Sequence, residues 1–340
     1  VMTPDEKILF VANTGFGSQT SRTVTAIETS THKTLATINV GFGPLDMAVT
    51  RAGDKVYVAN SDARSLSVID TEQLREMTRI SLPGMIEGPF GVAISPDGQT
   101  VYATDIEANQ VFVVDANVGS ITDRIDVVGS PRSVTVSPDG TTLYVSGFEG
   151  GISVVSVSEG REVERISTTS GVFRVKLSPD GKTLYATSQD AGELLAIDTG
   201  QLRISRTVRV LPAGSNTRGL TVSEDGGRIY VTNSNSNDLV VYNASSLTIE
   251  ASYKLGDGPR AILVRSRIFE SELPVAVIAL SDFDADGIVG FNDFLLFAAA
   301  FGTESQDSSF DARFDLDGSG IIDFPDFLAF AKAFGRSSLN

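Results

Sequence analysis

The chain has 340 residues, 41% of them hydrophobic, with 32 glycines and a formal net charge of −16; this describes a turn-rich globular protein with enough chain for a large core. The charge argues against nucleic acid or an anionic membrane surface as main partner. The absence of cysteine excludes a disulfide framework, a thiolate metal site and a cysteine nucleophile. No run reaches the ~18 apolar residues of a membrane span. Val1 opens on no signal-peptide pattern, which a secreted protein would already have lost.

From the start of the chain to residue 264 the sequence repeats. The turn Ser95-Pro-Asp-Gly98 recurs as Ser137-Pro-Asp-Gly140, Ser178-Pro-Asp-Gly181 and Ser223-Glu-Asp-Gly226, with weaker forms at Thr3-Pro-Asp-Glu6 and Thr50-Arg-Ala-Gly-Asp54. The intervals are a little over forty residues. Each turn precedes a short apolar run such as Val56-Tyr-Val-Ala-Asn60 or Leu143-Tyr-Val-Ser146, and a further run ends in a polar residue, as in Val111-Phe-Val-Val-Asp115. Alternating β-branched runs bounded by Gly, Pro, Asn and Asp are strands. Four such strands per repeat make one blade of a β-propeller. We count six blades, with seven as the alternative, and predict that the N-terminal strands join Gly258-Pro-Arg-Ala-Ile-Leu-Val264 in a composite closing blade. The wording of these units resembles the YVTN family of bacterial surface propellers over residues 1–264. That resemblance implies the fold; propellers host many activities.

Little in the repeat points to catalysis. The single histidine, His32, falls in a turn before an outer strand. Streptogramin-type lyases and copper or haem propellers rely on histidines that the chain lacks, and the absence of tryptophan removes the blade motif of quinoprotein propellers. Aligned on the turns, the innermost strands begin with Leu45, Phe90, Arg132, Phe173, Arg218 and Arg260, and the next position adds Asp46 and Arg174. In a propeller these positions sit near one mouth of the central channel. Arg132, Arg174, Arg218 and Arg260 would form a positive funnel there for a carboxylate or phosphate, or would pair with blade-end aspartates and carbonyls and seal the ring. Arginines alone supply no general base, so a lactonase-like hydrolase needs a carboxylate or metal that does not stand out beside them.

The segment 265–280 reads as a linker. Its apolar run includes Val275 and Val277 and is β-prone, so it also suits strand donation to a neighbouring molecule. Beyond it lies Asp282-Phe-Asp-Ala-Asp-Gly-Ile-Val-Gly-Phe-Asn-Asp293, echoed by Asp315-Leu-Asp-Gly-Ser-Gly-Ile-Ile-Asp-Phe-Pro-Asp326. Short oxygen side chains at positions 1, 3 and 5, a glycine at 6 and a carboxylate at 12 are the spacing of a calcium loop. The expected ligands are Asp282, Asp284, Asp286, the Ile288 carbonyl and Asp293 for one Ca2+ ion. For a second they are Asp315, Asp317, Ser319, the Ile321 carbonyl, Asp323 and Asp326. Each loop leads into a helix with phenylalanines at i, i+3 and i+7, Phe294, Phe297 and Phe301 in the first and Phe327, Phe330 and Phe334 in the second; these are expected on one buried face. Residues 281–336 resemble a type I dockerin, an EF-hand relative. The resemblance implies that calcium folds the module and that Phe291, Asn292, Phe324 and Pro325 help choose a protein partner.

The expected fold class is thus mostly β, a six-bladed propeller with a small α-helical domain of paired calcium loops. The expected role is a secreted or cell-surface, non-enzymatic structural or interaction protein, docking through calcium to a cohesin-like partner or to another copy of itself, with a homo-oligomer or extracellular filament as the assembled form. A propeller that binds or hydrolyses a small anion at the arginine funnel is the alternative.

Overall fold

The computed structural model describes residues 1–16, 19–83, 88–188, 191–209, 216–264, 281, 283–284, 288–316 and 319–334. It divides into two compact units, Val1–Ser266 and Arg267–Asn340.

The first unit consists of six antiparallel sheets. The first holds β1 (Ile8–Phe16), β2 (Gln19–Glu28) and β3 (Thr34–Asn39). The second holds β4 (Pro44–Val49), β5 (Lys55–Asn60), β6 (Ser65–Asp70) and β7 (Arg75–Ser81), and the third β8 (Val92–Ile94), β9 (Thr100–Asp105), β10 (Gln110–Asp115) and β11 (Ser120–Asp126). Then follow β12 (Pro131–Val136), β13 (Thr142–Gly147), β14 (Ile152–Ser156) and β15 (Arg161–Ile166) in the fourth, and β16 (Val172–Leu177), β17 (Thr183–Ser188), β18 (Glu193–Asp198) and β19 (Arg203–Arg209) in the fifth. The sixth holds β20 (Thr217–Val222), β21 (Arg228–Asn233), β22 (Asp238–Asn243) and β23 (Ile249–Lys254). Successive innermost strands lie against one another, so the architecture is a six-bladed propeller and the seven-bladed alternative falls.

The core lies between blades, and one aromatic residue in each of the first five blades builds it, the sixth blade's Tyr230 being half-buried. Phe10, Tyr57, Tyr102, Tyr144 and Tyr185 hold equivalent places on the second strand of these five repeats, are nearly fully buried, and pack into clusters shared with the following blade. A large ring at that place removes some 150–250 Å² from water. The turns carry a second contact. Ser137 Oγ donates to Asp139 Oδ1 at 2.5 Å, the same oxygen accepts from the Thr141 amide at 3.1 Å, and the arrangement repeats at Ser95–Asp97, Ser178–Asp180 and Ser223–Asp225. The turn glycines adopt positive φ, +71° at Gly181, and Gly53, Gly140, Gly181 and Gly226 stack on the proline of the preceding blade's turn. A Cβ at Gly181 would meet Pro138 Cδ at 2.8 Å.

Closure differs from the expected composite ladder. Residues 1–3 occupy the inner flank of β1, where the Phe10 amide donates to the Val1 carbonyl at 2.8 Å and the Thr3 amide to the Ile8 carbonyl at 3.0 Å. The segment 258–264 reaches the expected neighbourhood, since a Cβ at Gly219 on β20 would lie 3.1 Å from the Ala261 backbone. It forms no strand there, because part of the edge it would have paired with is already taken.

The second unit contains helices α1 (Phe291–Ala300) and α2 (Phe324–Ala333). Val289, Phe297, Phe314, Ile322 and Phe330 form its core, with the Phe297 and Phe330 rings stacked at 5.4 Å and 8°. The i+7 phenylalanines depart from expectation, Phe301 being 48% and Phe334 49% exposed. Both are C-cap residues, so they lie at the end of the buried face, each ring 6.0 Å from the phenylalanine one turn earlier.

Candidate functional site at the channel mouth

Four innermost strands begin with an irregularity. The pairing register slips between Pro44 and Asp46, Pro131 and Ser133, Val172 and Arg174, and Thr217 and Gly219. A bulge inserts one unpaired residue and re-aims its side chain. The unpaired residues are Leu45, Arg132, Phe173 and Arg218, so the arginines at the mouth are delivered by backbone geometry as well as by their position in the repeat.

These side chains converge. The Arg132 guanidinium lies over the rings of Phe90, Phe148 and Phe173 at 4.8, 4.6 and 5.7 Å. Arg218 lies over Phe173 at 5.2 Å and Arg174 at 6.0 Å, which makes the buried Phe173 a hub for three cations. Burial pushes the Arg218 guanidinium below its ordinary pKa, and the like charges of Arg260, Arg132 and Arg174 add to the effect. Burial also lowers Arg260. Stacking of this kind is worth about 0.5–2 kcal/mol per pair and fixes a guanidinium while leaving its edge for hydrogen bonding.

Arg174 makes a further contact. Its Nη1 donates to Asp46 Oδ2 at 3.2 Å, and the Val92 amide donates to the same oxygen at 3.2 Å. Asp46 belongs to the second blade and Arg174 to the fifth, which stand opposite each other in a ring of six, so the ion pair crosses the channel. Two residues on and on the same strand face, Lys176 keeps solvent access but is enclosed by surrounding protein, which lowers its pKa, an effect that Asp46 opposes. Exposed carboxylates stand on one side of the ring: Asp62, Glu107 and Glu149 lie in the loops that follow the second strands of three neighbouring blades.

The sequence-predicted residues divide accordingly. Arg132, Arg174 and Arg218 gather at the mouth, with Arg260 close enough to influence Arg218 electrostatically. The expected pairing with aspartates holds for Arg174 and Asp46; aromatic stacking on Arg132 and Arg218 was not anticipated, and Phe148 was missed because it lies outside the aligned strand positions. His32 is exposed in the turn between β2 and β3.

In the second unit, Asp293 is fully buried, its Oδ1 accepting from the Phe283 amide at 2.6 Å and the Asp284 amide at 3.1 Å, its Oδ2 from the Gly290 amide at 2.7 Å. Asp326 repeats this with the amides of Leu316 and Asp323 at 2.6 and 2.9 Å. Asp315 accepts from the Ser319 and Gly320 amides at 3.0 and 2.8 Å, bending the second loop around itself. Ile288, Phe291, Asn292, Ile321 and Phe324 are exposed, Phe291 by 64% and Phe324 by 60%. Asp282, Asp286, Asp317, Val275 and Val277 lie outside the described residues, as does the Pro325 side chain. Among the described residues no group of three or more acidic or histidine side chains gathers as a metal site.

The family model PQQ_2, described as outer membrane protein assembly factor BamB, matches residues 2–208, more than half of the chain. The chain belongs to this family. Among solved structures the PQQ_2 propeller is similar to one titled Kuenenia stuttgartiensis Hydrazine Synthase, with a TM-score of 0.68 and 23% identity over 76% of this chain and 87% of that one; at this identity the likeness concerns the fold. No curated protein matches the chain.

Membership overturns the functional expectation drawn from sequence. A secreted scaffold docking through calcium, and its alternative of a small-anion-binding or lactonase-like propeller, both give way to a PQQ_2 propeller whose family description is an assembly factor. The physical reason is that Ser-Pro-Asp-Gly turns and alternating strands specify how a blade folds; they are silent about what its mouth binds. The missing tryptophan was also no bar to the family, because tyrosine or phenylalanine fills the interblade core.

Proposed function

We propose that this PQQ_2 propeller is a protein-binding platform of the assembly-factor kind, which holds its partner at the arginine and phenylalanine mouth of the channel. The family match carries the reading, and the mouth supplies the place. Arginine and aromatic residues held rigid at the centre of a surface are the residue types that dominate protein interfaces. Guanidinium groups hold and orient anions without supplying a base at neutral pH, so the reading is one of binding rather than catalysis. The test compares wild type with an Arg132→Ala/Arg218→Ala variant, each immobilised and exposed to an extract of the source cells. Retention of the same identified protein by the wild type and its loss from the folded variant supports the reading. Equal retention by both moves the contact elsewhere, and no retention by either removes the reading.

For the second unit the reading is a YVTN-like propeller's dockerin-like companion that calcium folds. The residues present fit that ion: Asp284, the Ile288 carbonyl, Asp293, Asp315, Ser319, the Ile321 carbonyl, Asp323 and Asp326 offer only hard oxygen donors, which suit Ca2+ over softer metals. Bound calcium would supply charge neutralisation among these carboxylates.

A further inference from the structure

We infer that the mouth recognises a single carboxylate on a partner polypeptide that is flanked by neutral or basic residues, and that it rejects runs of acidic residues. The inference rests on the protein-binding reading above and names the chemistry of the segment bound.

Two layers of charge lead to it. At the centre, Arg132, Arg174 and Arg218 stack on Phe173 within 6.0 Å of its ring. Burial and the like charges of Arg260, Arg132 and Arg174 lower the guanidinium of Arg218, so a negative group placed among these four arginines would relieve their mutual repulsion. Asp46 already engages Arg174 across the channel, so an incoming group would centre on Arg218, which has Arg132 and Arg260 as charged neighbours. A carboxylate is planar and accepts two parallel N–H bonds from a guanidinium edge, and a ring beneath the guanidinium holds that edge in a fixed plane.

The second layer sets the limit. Asp62, Glu107 and Glu149 are exposed in loops at the end of the blades where the innermost strands begin: the Ser61 amide donates to the Gly43 carbonyl and the Glu149 amide to the Gly129 carbonyl, and the Glu149 carboxylate would collide with any Cβ at Gly129. The chain as a whole carries −16. A polyanion such as nucleic acid or a polyglutamate run would set its outer charges against this rim, where like charges facing each other within a Debye length of ~8–10 Å repel. A lone carboxylate between lysines would place its negative charge on the inner arginines and its positive charges on the rim. Complementarity on both layers is the arrangement that selects a partner.

The experiment uses the full chain and three fluorescein-labelled dodecapeptides of Gly and Ser, carrying at their centre Lys-Asp-Lys, Lys-Asn-Lys or four consecutive glutamates, with binding read by anisotropy at low and at physiological salt. The inference expects Lys-Asp-Lys to bind at least 10-fold tighter than either of the others, and Arg218→Ala to remove that advantage while Arg218→Lys retains part of it. Circular dichroism and the melting temperature establish that each variant is folded; if Arg218→Ala does not fold, the comparison of Arg218→Lys with wild type decides. Equal binding of Lys-Asp-Lys and Lys-Asn-Lys overturns the inference, as does tighter binding of the glutamate run. Displacement of Lys-Asp-Lys by equimolar inorganic phosphate also overturns it, because the site would then be a small-anion site. Failure of the peptides with the extract-derived partner still lost from Arg132→Ala/Arg218→Ala defeats only this inference; peptide binding with no partner retained defeats only the platform reading.

Discussion

Gly181 answers two demands at once. Its φ of +71° lies where a side chain costs about 1 kcal/mol, and a Cβ there would press on Pro138 at 2.8 Å. Gly98 shares the conformation at +73° but has open space around it. Gly181→Ala is therefore expected to destabilise more than Gly98→Ala, by about 1–3 kcal/mol of added crowding. Urea titration of both variants measures this; equal losses would mean that the proline contact is inconsequential. The turn aspartates make a different prediction. Hydrogen bonds from Ser137, then from the Thr141 amide and hydroxyl, hold Asp139 below its ordinary carboxyl range, and Asp97, Asp180 and Asp225 are lowered in the same way. A lowered folded pKa means that the unfolded chain takes up protons first. The stabilisation is accordingly complete above the ordinary aspartate value of about 4 and is lost as pH falls through the lower folded value. Denaturation midpoints across that acid range should fall, and they should fall less in an Asp97→Asn/Asp139→Asn/Asp180→Asn variant. An unchanged slope in that variant would exclude these turns as the source.

At the scale of elements, the strands were legible and the bulges were not. Each Ser-Pro-Asp-Gly turn names its own hydrogen bonds, since the serine reaches the aspartate and the aspartate the following amide, so four residues announce the hinge between β12 and β13 as clearly as that between β16 and β17. The arginine positions were legible too, because Arg132 and Arg218 occupy the same slot in their repeats. Their aromatic support was not, because Phe148 comes from a loop, and contact between distant segments leaves no local pattern. In the second unit the i, i+3, i+7 spacing read correctly for Phe297 and Phe330 and failed at Phe301 and Phe334, where α1 and α2 have already ended. Tyr144 is 5% exposed and packs with Ile152, Val172 and Leu184, so Tyr144→Ala is expected to cost about 3–5 kcal/mol. Equilibrium denaturation checks this, and a loss below about 1 kcal/mol would place the strength of the blade interface elsewhere.

On the scale of the whole molecule, the chain has two units with separate cores, one built between blades and one built on stacked phenylalanines. Separate cores imply separate responses to a ligand that touches only one. If calcium binds the folded second unit with a dissociation constant near the ~0.1 mM of extracellular modules, then about 1 mM calcium adds RT ln 11, or about 1.4 kcal/mol per site. Only the transition of Arg267–Asn340 should rise, because the proposed ligands all lie there and the propeller turns bind no metal in this reading. The buried carboxylates sharpen the test. Asp293 and Asp326 already tie loop amides to the helix N-termini, so Asp293→Asn should remove much of the calcium response while leaving the propeller transition where it was. Calorimetry of wild type and variant, with calcium and with chelator, reads both transitions in one scan. A second unit that melts at the same temperature in both conditions would show that its paired acidic loops are held by their own amide hydrogen bonds and need no ion.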